Sequence, residues 1–117
     1  MSRNLKLHVG ETFDAIAERV AEAWHRAERG EAVDEDHLTF VSWEALSRVM
    51  TGRRFELLRH LHRHPEANIA ALARSLGRDY KRVHEDVEAL AGAGLIERDE
   101  TGLRADYEEI RTVIALR

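Results

Sequence analysis

The segment from Ile69 to Leu90 constrains the fold most, because two short apolar patterns of helical period lie on either side of one glycine. Its sequence reads IAALARSLGRDYKRVHEDVEAL. Apolar residues recur at helical spacing before and after Gly77, at Ile69, Leu72, Ala73 and Leu76 and again at Val83, Val87 and Leu90. Asn68 and Asp79 are favourable helix N-caps. The sequence therefore predicts two short helices joined by a tight glycine turn.

The residues after Leu90 predict a β-hairpin. Gly94 ends the second helix, and a strand is expected from Leu95 to Arg98. A turn at Thr101 and Gly102 then leads into a returning strand. Two short helices joined by a glycine turn and followed by a hairpin make a winged helix-turn-helix, so the predicted fold class is α+β.

A strand, a helix and a second strand are predicted near the N-terminus. Leu5 to Val9 alternates apolar and polar residues, as a half-buried strand does. An apolar stripe of helical period follows, at Phe13, Ile16, Ala17, Val20, Trp24 and Ala27. Thr12 caps this helix and Gly30 ends it, and His37 to Ser42 has the composition of a second strand.

Two more helices are predicted between residues 42 and 65. Ser42 caps a helix from Trp43 to Met50, and Thr51 caps the helix that contains RRFELLRHLHRH. Three apolar residues of this second helix are expected on one side, namely Phe55, Leu58 and Leu61. Its arginines and histidines are expected on the other side.

The C-terminal segment fits two structures. From Tyr107 onward the apolar residues match either a helix or a strand, and the β-branched run from Thr112 to Ile114 favours the strand. We expect a single domain over residues 1–117. Residues 1–42 would form a strand-helix-strand extension, and residues 43–117 the winged helix-turn-helix with a C-terminal strand. The N-terminal strand, the Phe13–Ala27 helix and the C-terminal strand exceed a minimal winged helix, so we expect the dimer interface there.

Composition excludes several classes of protein. The chain has 117 residues and no cysteine, so disulfides and thiolate zinc sites are excluded. It contains no apolar run near 18 residues. The N-terminal sequence MSRNLKLHVGETF lacks the apolar core of a secretion signal. We therefore expect a cytoplasmic protein that does not bind a membrane.

The histidines and carboxylates predict neither a metal site nor an enzyme. In RHLHRHP, His60 and His64 share a helix face, but His62 points away, and two imidazoles make a poor metal site. Histidines near a helix C-terminus suit the helix dipole, which is the interpretation we favour. No nucleophile accompanies His84 and Asp86, and no glycine loop is built to hold phosphate. We expect no cofactor.

Charge is distributed unevenly along this chain of net charge −4. Residues 48–84 carry 9 Lys/Arg against 3 Asp/Glu, whereas residues 1–47 carry 5 against 10 and residues 85–117 carry 4 against 9. A basic centre between acidic flanks is typical of a localised anion-binding surface. Solvated charges on ordinary helices would give the same count, so charge alone leaves both interpretations open.

The run from Ile69 to Gly102 resembles the core of winged-helix regulators of the MarR/ArsR type. Within these it is most similar to a prokaryotic family of small predicted transcriptional regulators that shares LGRDYK-x-VH-x-D-V-x-x-L followed by GLI. The resemblance covers roughly residues 53–116. It implies a DNA-binding regulator, and it also implies a relation to antitoxins that are encoded beside a small toxin gene.

The helix that begins near Asp79 is the predicted reader of DNA. A recognition helix presents its N-terminal residues to base edges in the major groove. The residues expected on its exposed side or at the preceding turn are Arg78, Tyr80, Lys81, Arg82 and His84. Lys81 and Arg82 suit guanine edges or phosphates, and Tyr80 suits a thymine methyl group or a phosphate. A solvated helix face in a protein-binding winged helix is the alternative.

Other basic residues are candidates for phosphate contacts, which position a protein without reading sequence. They are Arg53, Arg54, Arg74 and Arg104, with Arg59 as a further candidate. The predicted hairpin loop ERDETGLR holds three carboxylates, at Glu97, Asp99 and Glu100, against two arginines. This loop is therefore poorly suited to the minor-groove contact that a wing usually makes.

Two functions of different classes follow from the sequence. The first is a sequence-specific regulator that binds double-stranded DNA as a homodimeric repressor, because one recognition helix reads few base pairs. The second is an antitoxin that neutralises a basic toxin through its acidic flanks and represses its own operon. A repressor that responds to a small molecule rests on fold analogy alone. Trp24 and Trp43 are expected in the core or at the dimer interface.

Overall fold

The computed structural model describes residues 3–31 and 35–116, and within them the protein is a mixed α+β structure. The helices are α1 (Phe13–Glu28), α2 (Trp43–Val49), α3 (Gly52–Arg63), α4 (Ile69–Leu76) and α5 (Tyr80–Gly92). The strands are β1 (Arg3–Val9), β2 (Glu35–Phe40), β3 (Glu97–Asp99), β4 (Gly102–Arg104) and β5 (Tyr107–Ile114). The α+β class is thereby confirmed. None of the helices in these ranges is long and apolar enough to cross a membrane.

The chain divides into two compact units, one of residues 1–45 with 107–117 and one of residues 46–106. The first unit is built on a three-stranded sheet of order β2-β1-β5, in which both outer strands run parallel to β1. The register pairs Leu7 with Leu38 on one side and with Thr112 on the other. Parallel neighbours require a crossover, which α1 supplies between β1 and β2.

The central position of β1 explains its burial. Leu5, Leu7 and Val9 are each 1% exposed, and His8, on the opposite face of the strand, is also buried. The Nε2 atom of His8 lies 2.8 Å from Nδ1 of His37, and its Nδ1 atom lies 3.3 Å from a carboxylate oxygen of Glu11. Burial, reinforced by the charge of Arg19, lowers the pKa of His8. This half-buried polar cluster did not feature in the sequence predictions.

Helix α1 forms where it was predicted, but its apolar stripe is exposed. Thr12 caps the helix by accepting a hydrogen bond from the Ala15 amide. No residue of α1 is buried, and Phe13, Val20 and Trp24 are 83%, 62% and 67% exposed. A core position for Trp24 is therefore excluded. Trp43 is likewise more than half exposed, so neither tryptophan lies in the core.

The predicted caps of the other helices are confirmed. The side chains of Ser42, Thr51, Asn68 and Asp79 each accept a hydrogen bond from a backbone amide three residues later. These contacts satisfy amides that have no partner within a helix. Local sequence therefore determines where four of the helices begin.

The second unit has a core of aliphatic side chains from α3, α4, α5 and the hairpin. The fully buried ones are Leu57, Leu61, Leu72, Val83, Val87, Leu90 and Leu95. The prediction for α3 was wrong at Phe55, which is 47% exposed and lies beneath the Arg59 guanidinium, 6.0 Å from the ring centre. The buried face of α3 contains Leu57 instead of Phe55, because residues 57, 58 and 61 lie on one face at helical spacing.

The hairpin of the second unit is fastened to the chain before α4. Strands β3 and β4 pair antiparallel, and Leu103 exchanges two backbone hydrogen bonds with Glu66, of 3.1 and 2.8 Å. The first strand begins two residues later than predicted, since Leu95 and Ile96 are buried ahead of it. Gly102, with φ of +131°, is required here because a Cβ atom would lie 2.2 Å from the Glu66 carbonyl oxygen.

The C-terminal segment is a strand, as predicted, and its partner is β1. Strand β5 is part of the unit that contains β1 and β2, whereas the sequence predicts it together with residues 43–117. Long-range strand pairing of this kind joins segments about a hundred residues apart, and local patterns carry no signal for it. The single domain over residues 1–117 stays a prediction.

Candidate nucleic-acid interface

A three-residue turn places α5 after α4. Gly77 ends α4 in the left-handed conformation, with φ of 64°. The amides of Gly77 and Arg78 donate to the carbonyls of Arg74 and Ala73, which closes the helix end. Asp79 then starts α5 by accepting from the Arg82 amide at 3.2 Å. The turn is therefore specified by one glycine and one cap.

Helix α5 has a buried face and an exposed cationic face. Val83, Val87 and Leu90 are fully buried and anchor the helix in the core of its unit. Lys81 and Arg82 lie in the first turn on the exposed side. Within residues 3–31 and 35–116 neither of these two side chains has a carboxylate partner. Two cations are thus held on a rigid element and left available to an external anion.

Tyr80 and His84 extend this exposed face along the helix. Tyr80 is 54% exposed, and its ring centre lies 6.0 Å from that of His84. His84 lies 3.7 Å from Glu88, which also accepts a hydrogen bond from Arg98 at 2.6 Å. The bond from Arg98 holds the pKa of Glu88 below its usual value. Tyr80 and His84 therefore lie next to each other and nearer to Lys81 than to Arg82, because residues two apart point to opposite sides of a helix.

Arg54 and Arg78 are brought together by Asp86. The Arg54 Nε atom donates to one carboxylate oxygen of Asp86 at 3.0 Å, and Arg78 donates to the other at 2.7 Å. The three side chains are only 13 to 21% exposed. Arg54 also donates to the backbone carbonyls of Arg48 and Val49. Both arginines are thus committed to bonds that fasten the end of α2, α3, the turn and α5 to one another.

Asp86 is a site residue that the sequence analysis missed. It follows Val83 by three residues and precedes Val87, so its position borders the buried face of α5. A carboxylate at such a border needs a cationic or hydrogen-bonding partner, because burying it unpaired is costly. That signal was present in the sequence, but it did not reveal which arginines would be the partners.

Arg53 and Arg74 remain exposed on the helices before α5. Arg53 follows Gly52 at the start of α3, and it lines an open groove of about 610 Å³ together with Arg78 and Leu76. Arg74 lies in the last turn of α4. Neither side chain forms an ion pair in the described part of the chain. Arg53 is therefore near the turn that precedes α5, where a phosphate contact was predicted.

Arg104 is surrounded by carboxylates. It lies 3.1 Å from Glu97, 2.7 Å from Asp99 and 3.3 Å from Asp106. Hydrogen bonds from Arg104 and Thr101 lower the pKa of Asp99, and the bond to Asp99 raises the pKa of Arg104. The carboxylates around Arg104 therefore neutralise its charge. In this respect Arg104 differs from the predicted phosphate contacts Arg53 and Arg74, which form no ion pair in the described residues.

The histidines of α3 are used in structural contacts. Nδ1 of His62 lies 3.0 Å from the Ala105 carbonyl, and Nε2 of His60 lies 3.2 Å from Glu66. Burial raises the pKa of Glu66, but hydrogen bonds from Ser75 and His60 outweigh it and hold that pKa below its usual value. Among residues 3–31 and 35–116, no group of three or more His, Asp or Glu side chains could hold a metal ion.

Comparison with protein families gives one match, over residues 49–112, to the sequence model of HVO_A0114. The matched range is more than half of the 117 residues. The chain belongs to the HVO_A0114 family. In this HVO_A0114 protein the matched range begins at the end of α2 and includes α3 to α5, the hairpin and most of β5. Searches of curated proteins and of solved structures find no match.

The HVO_A0114 match contains the whole candidate interface, from Arg53 to Arg104. It names neither the MarR/ArsR type nor antitoxins. Those two resemblances therefore stay predictions.

Proposed function

We propose that this HVO_A0114 protein is a winged helix-turn-helix regulator that binds double-stranded DNA through α5 and represses transcription as a homodimer. One observation carries the proposal. Lys81 and Arg82 have no carboxylate partner among the described residues, and they lie on the exposed first turn of a helix whose other face is fully buried, directly after a tight glycine turn. This is the arrangement by which a recognition helix offers its N-terminal residues to the major groove.

The surrounding residues divide into two roles. Arg53 and Arg74 are exposed, and they suit phosphate contacts that set the register of the protein on the duplex. Arg54 and Arg78 act instead through Asp86, and we assign them the positioning of α5. Tyr80 and His84 add aromatic and hydrogen-bonding groups on the side of α5 next to Lys81.

The hairpin takes no part in the proposed contact with DNA. Glu97, Asp99 and Asp106 surround Arg104, and Glu88 engages Arg98. A loop with this excess of carboxylates repels phosphates rather than attracting them. Binding is therefore expected to depend on the helices and to be indifferent to the two arginines of the hairpin.

The test is a fluorescence-anisotropy titration with a labelled duplex from the region upstream of the gene and with a scrambled duplex of equal length. The native protein should prefer the upstream duplex. The double variant Lys81→Ala/Arg82→Ala should lose at least about tenfold in affinity, because each good contact to a base edge contributes about 1–3 kcal/mol.

Arg98→Ala/Arg104→Ala is the matched control, because it removes the same amount of positive charge. Its affinity should stay within about twofold of the native value, since its side chains are already paired. Equal losses in both double variants would mean that binding follows net charge alone. Absence of binding to either duplex by folded protein at low salt would exclude the proposal.

A second candidate function is an antitoxin that binds a basic toxin. The observation in its favour is that residues 1–47 carry twice as many acidic as basic residues and include the exposed apolar side chains of α1. Opposite charge would orient a basic protein on this surface. A small basic reading frame beside the gene, whose product forms a stable complex with this protein when both are produced together, would favour this candidate. If the two purified products do not associate, this candidate is excluded.

A further inference from the structure

The exposed side of α1 is an apolar surface that the proposed DNA binding does not use. Its residues line an open groove of about 500 Å³ along the helix and are Phe13, Ile16, Ala17, Val20, Ala21 and Trp24. Exposed contiguous apolar surface of this kind typically marks an interaction site. We refer to these six residues as the α1 apolar face.

Contacts on another side of the helix, made by Arg19, fix how α1 is oriented within its unit. Arg19 donates to the Glu11 carboxylate and, at 2.9 Å, to the Thr39 hydroxyl on β2. Position 19 is about 100° or more away from Phe13, Ala17 and Val20 around the helix. The half-buried side of α1 holds Ile16 and Ala23 beside Arg19. Phe13, Val20 and Trp24 are exposed on the rest of the helix, so this part of the apolar face is left for something outside the unit.

We propose that the α1 apolar face docks against the same face of a second copy of this chain, with the two helices antiparallel. The pattern of side-chain sizes is self-complementary about a point between Val20 and Ala21. In an antiparallel pair centred there, Val20 of one copy lies opposite Ala21 of the other, and Trp24 lies opposite Ala17. Large side chains thus meet small ones, as interdigitating helices require.

The charges along the edge of the α1 apolar face favour the same arrangement. Asp14 and Glu18 lie on one flank of the face, and neither has a cationic partner in the described part of the chain. In the antiparallel pair they would lie on either side of His25 of the second copy, which in its own helix lies 3.6 Å from Glu28. Glu28 would lie level with Phe13, next to the Thr12 cap at the other helix's N-terminus, where the helix dipole favours a carboxylate. A parallel pair would place like charges together.

The test is sedimentation equilibrium of the full-length protein over about 1 to 100 µM, because a single helix pair forms a small interface of moderate affinity. The native protein should be dimeric at the upper end of this range. Val20→Glu and Trp24→Glu should each weaken the dimer at least tenfold. Val41→Glu is the control, since Val41 is 85% exposed outside the helix, and it should leave the dimer unchanged.

A charge reversal tests the antiparallel arrangement separately. His25→Glu places a third carboxylate between Asp14 and Glu18 of the second copy and should weaken the dimer severalfold. Adding Glu18→Lys should restore it. Residues 18 and 25 are about 10 Å apart along one helix, so restoration reports a contact between copies rather than within one. Circular dichroism shows whether the helix survives each change.

Three results would overturn the inference: a protein that stays monomeric at every concentration, a dimer that survives Val20→Glu and Trp24→Glu, or a His25→Glu defect that Glu18→Lys does not restore. A monomer that instead binds a toxin through this face would favour the antitoxin. The inference uses no property of α5. The inference does rest on the homodimer of the proposed function. A monomer that still prefers the upstream duplex would therefore exclude this interface and that homodimer, and leave the proposed DNA binding through α5 intact.

Discussion

At the scale of single residues, Asp86 decides which of the neighbouring cations are available to bind a phosphate. Arg54, Arg78, Lys81 and Arg82 have the same chemistry in the sequence, and all were predicted to contact DNA. In the structure Asp86 pairs with the first two at 3.0 and 2.7 Å, whereas the last two have no carboxylate partner in the part of the chain that the structure describes. A cation that already has a half-buried carboxylate partner has less to gain from a phosphate than a solvated cation has. Whether each of these four cations is available to DNA therefore depends on its partner in the fold and not on its residue type.

Asp86→Asn should lower the free energy of unfolding by about 1–3 kcal/mol. The variant keeps the shape of the side chain but leaves two half-buried guanidinium groups without an anionic partner. Urea unfolding followed by circular dichroism measures the change. Glu88→Gln serves as the control, because Glu88 is half exposed, and its loss should stay within about 0.5 kcal/mol. Equal stability of both variants would show that Asp86 does not fasten the helices.

At the scale of elements, the ends of the helices were the most predictable feature. All five predicted caps accept the expected backbone amide, because capping involves residues three apart and needs no tertiary partner. The role of Gly77 was predictable for the same reason, since the turn itself requires the φ of 64°. The faces of the helices were less predictable. Phe55 and Trp24 both lie on apolar patterns, and both are exposed.

Gly77→Ala should destabilise the protein by about 1–2 kcal/mol, because a residue with a Cβ atom is strained in the left-handed conformation. No atom lies within 4 Å of the position such a Cβ would take, so the cost is backbone strain and not a clash. Gly92→Ala is the matched comparison. Gly92 is helical and equally uncrowded, so its substitution should stabilise by about 0.5–1 kcal/mol. Changes of the same sign in thermal or urea unfolding would contradict this explanation.

At the scale of the whole molecule, the distribution of charge matters more than the total of −4. The basic centre at residues 48–84 was predicted to be an anion-binding surface or a set of solvated charges. Arg54 and Arg78 are internally paired, whereas the other seven Lys/Arg side chains of this range are exposed. Four of the seven, namely Arg53, Arg74, Lys81 and Arg82, are the ones assigned to the proposed contact with DNA.

The salt dependence of DNA binding should reflect these four cations. If each neutralises one phosphate, the logarithm of the binding constant should fall against the logarithm of salt concentration with a slope of about −3 to −4 per protomer. Anisotropy titrations between about 50 and 200 mM salt measure the slope. Lys81→Ala/Arg82→Ala should reduce its magnitude by about 2, whereas Arg54→Ala should leave it unchanged. If Arg54→Ala reduced the magnitude of the slope as much as the double variant does, Arg54 would have to be counted among the residues that contact phosphates.

The sequence by itself determined the order of the elements, the helix caps, the glycine turn, the buried face of α5 and the strand at the C-terminus. Each of these depends on residues a few positions apart, where spacing and side-chain type are sufficient. Only the tertiary structure decided that β5 pairs with β1, that Asp86 selects Arg54 and Arg78, that carboxylates surround Arg104, and that the stripe of α1 is exposed. Pairing and burial depend on segments far apart in the chain, which meet only when the chain folds.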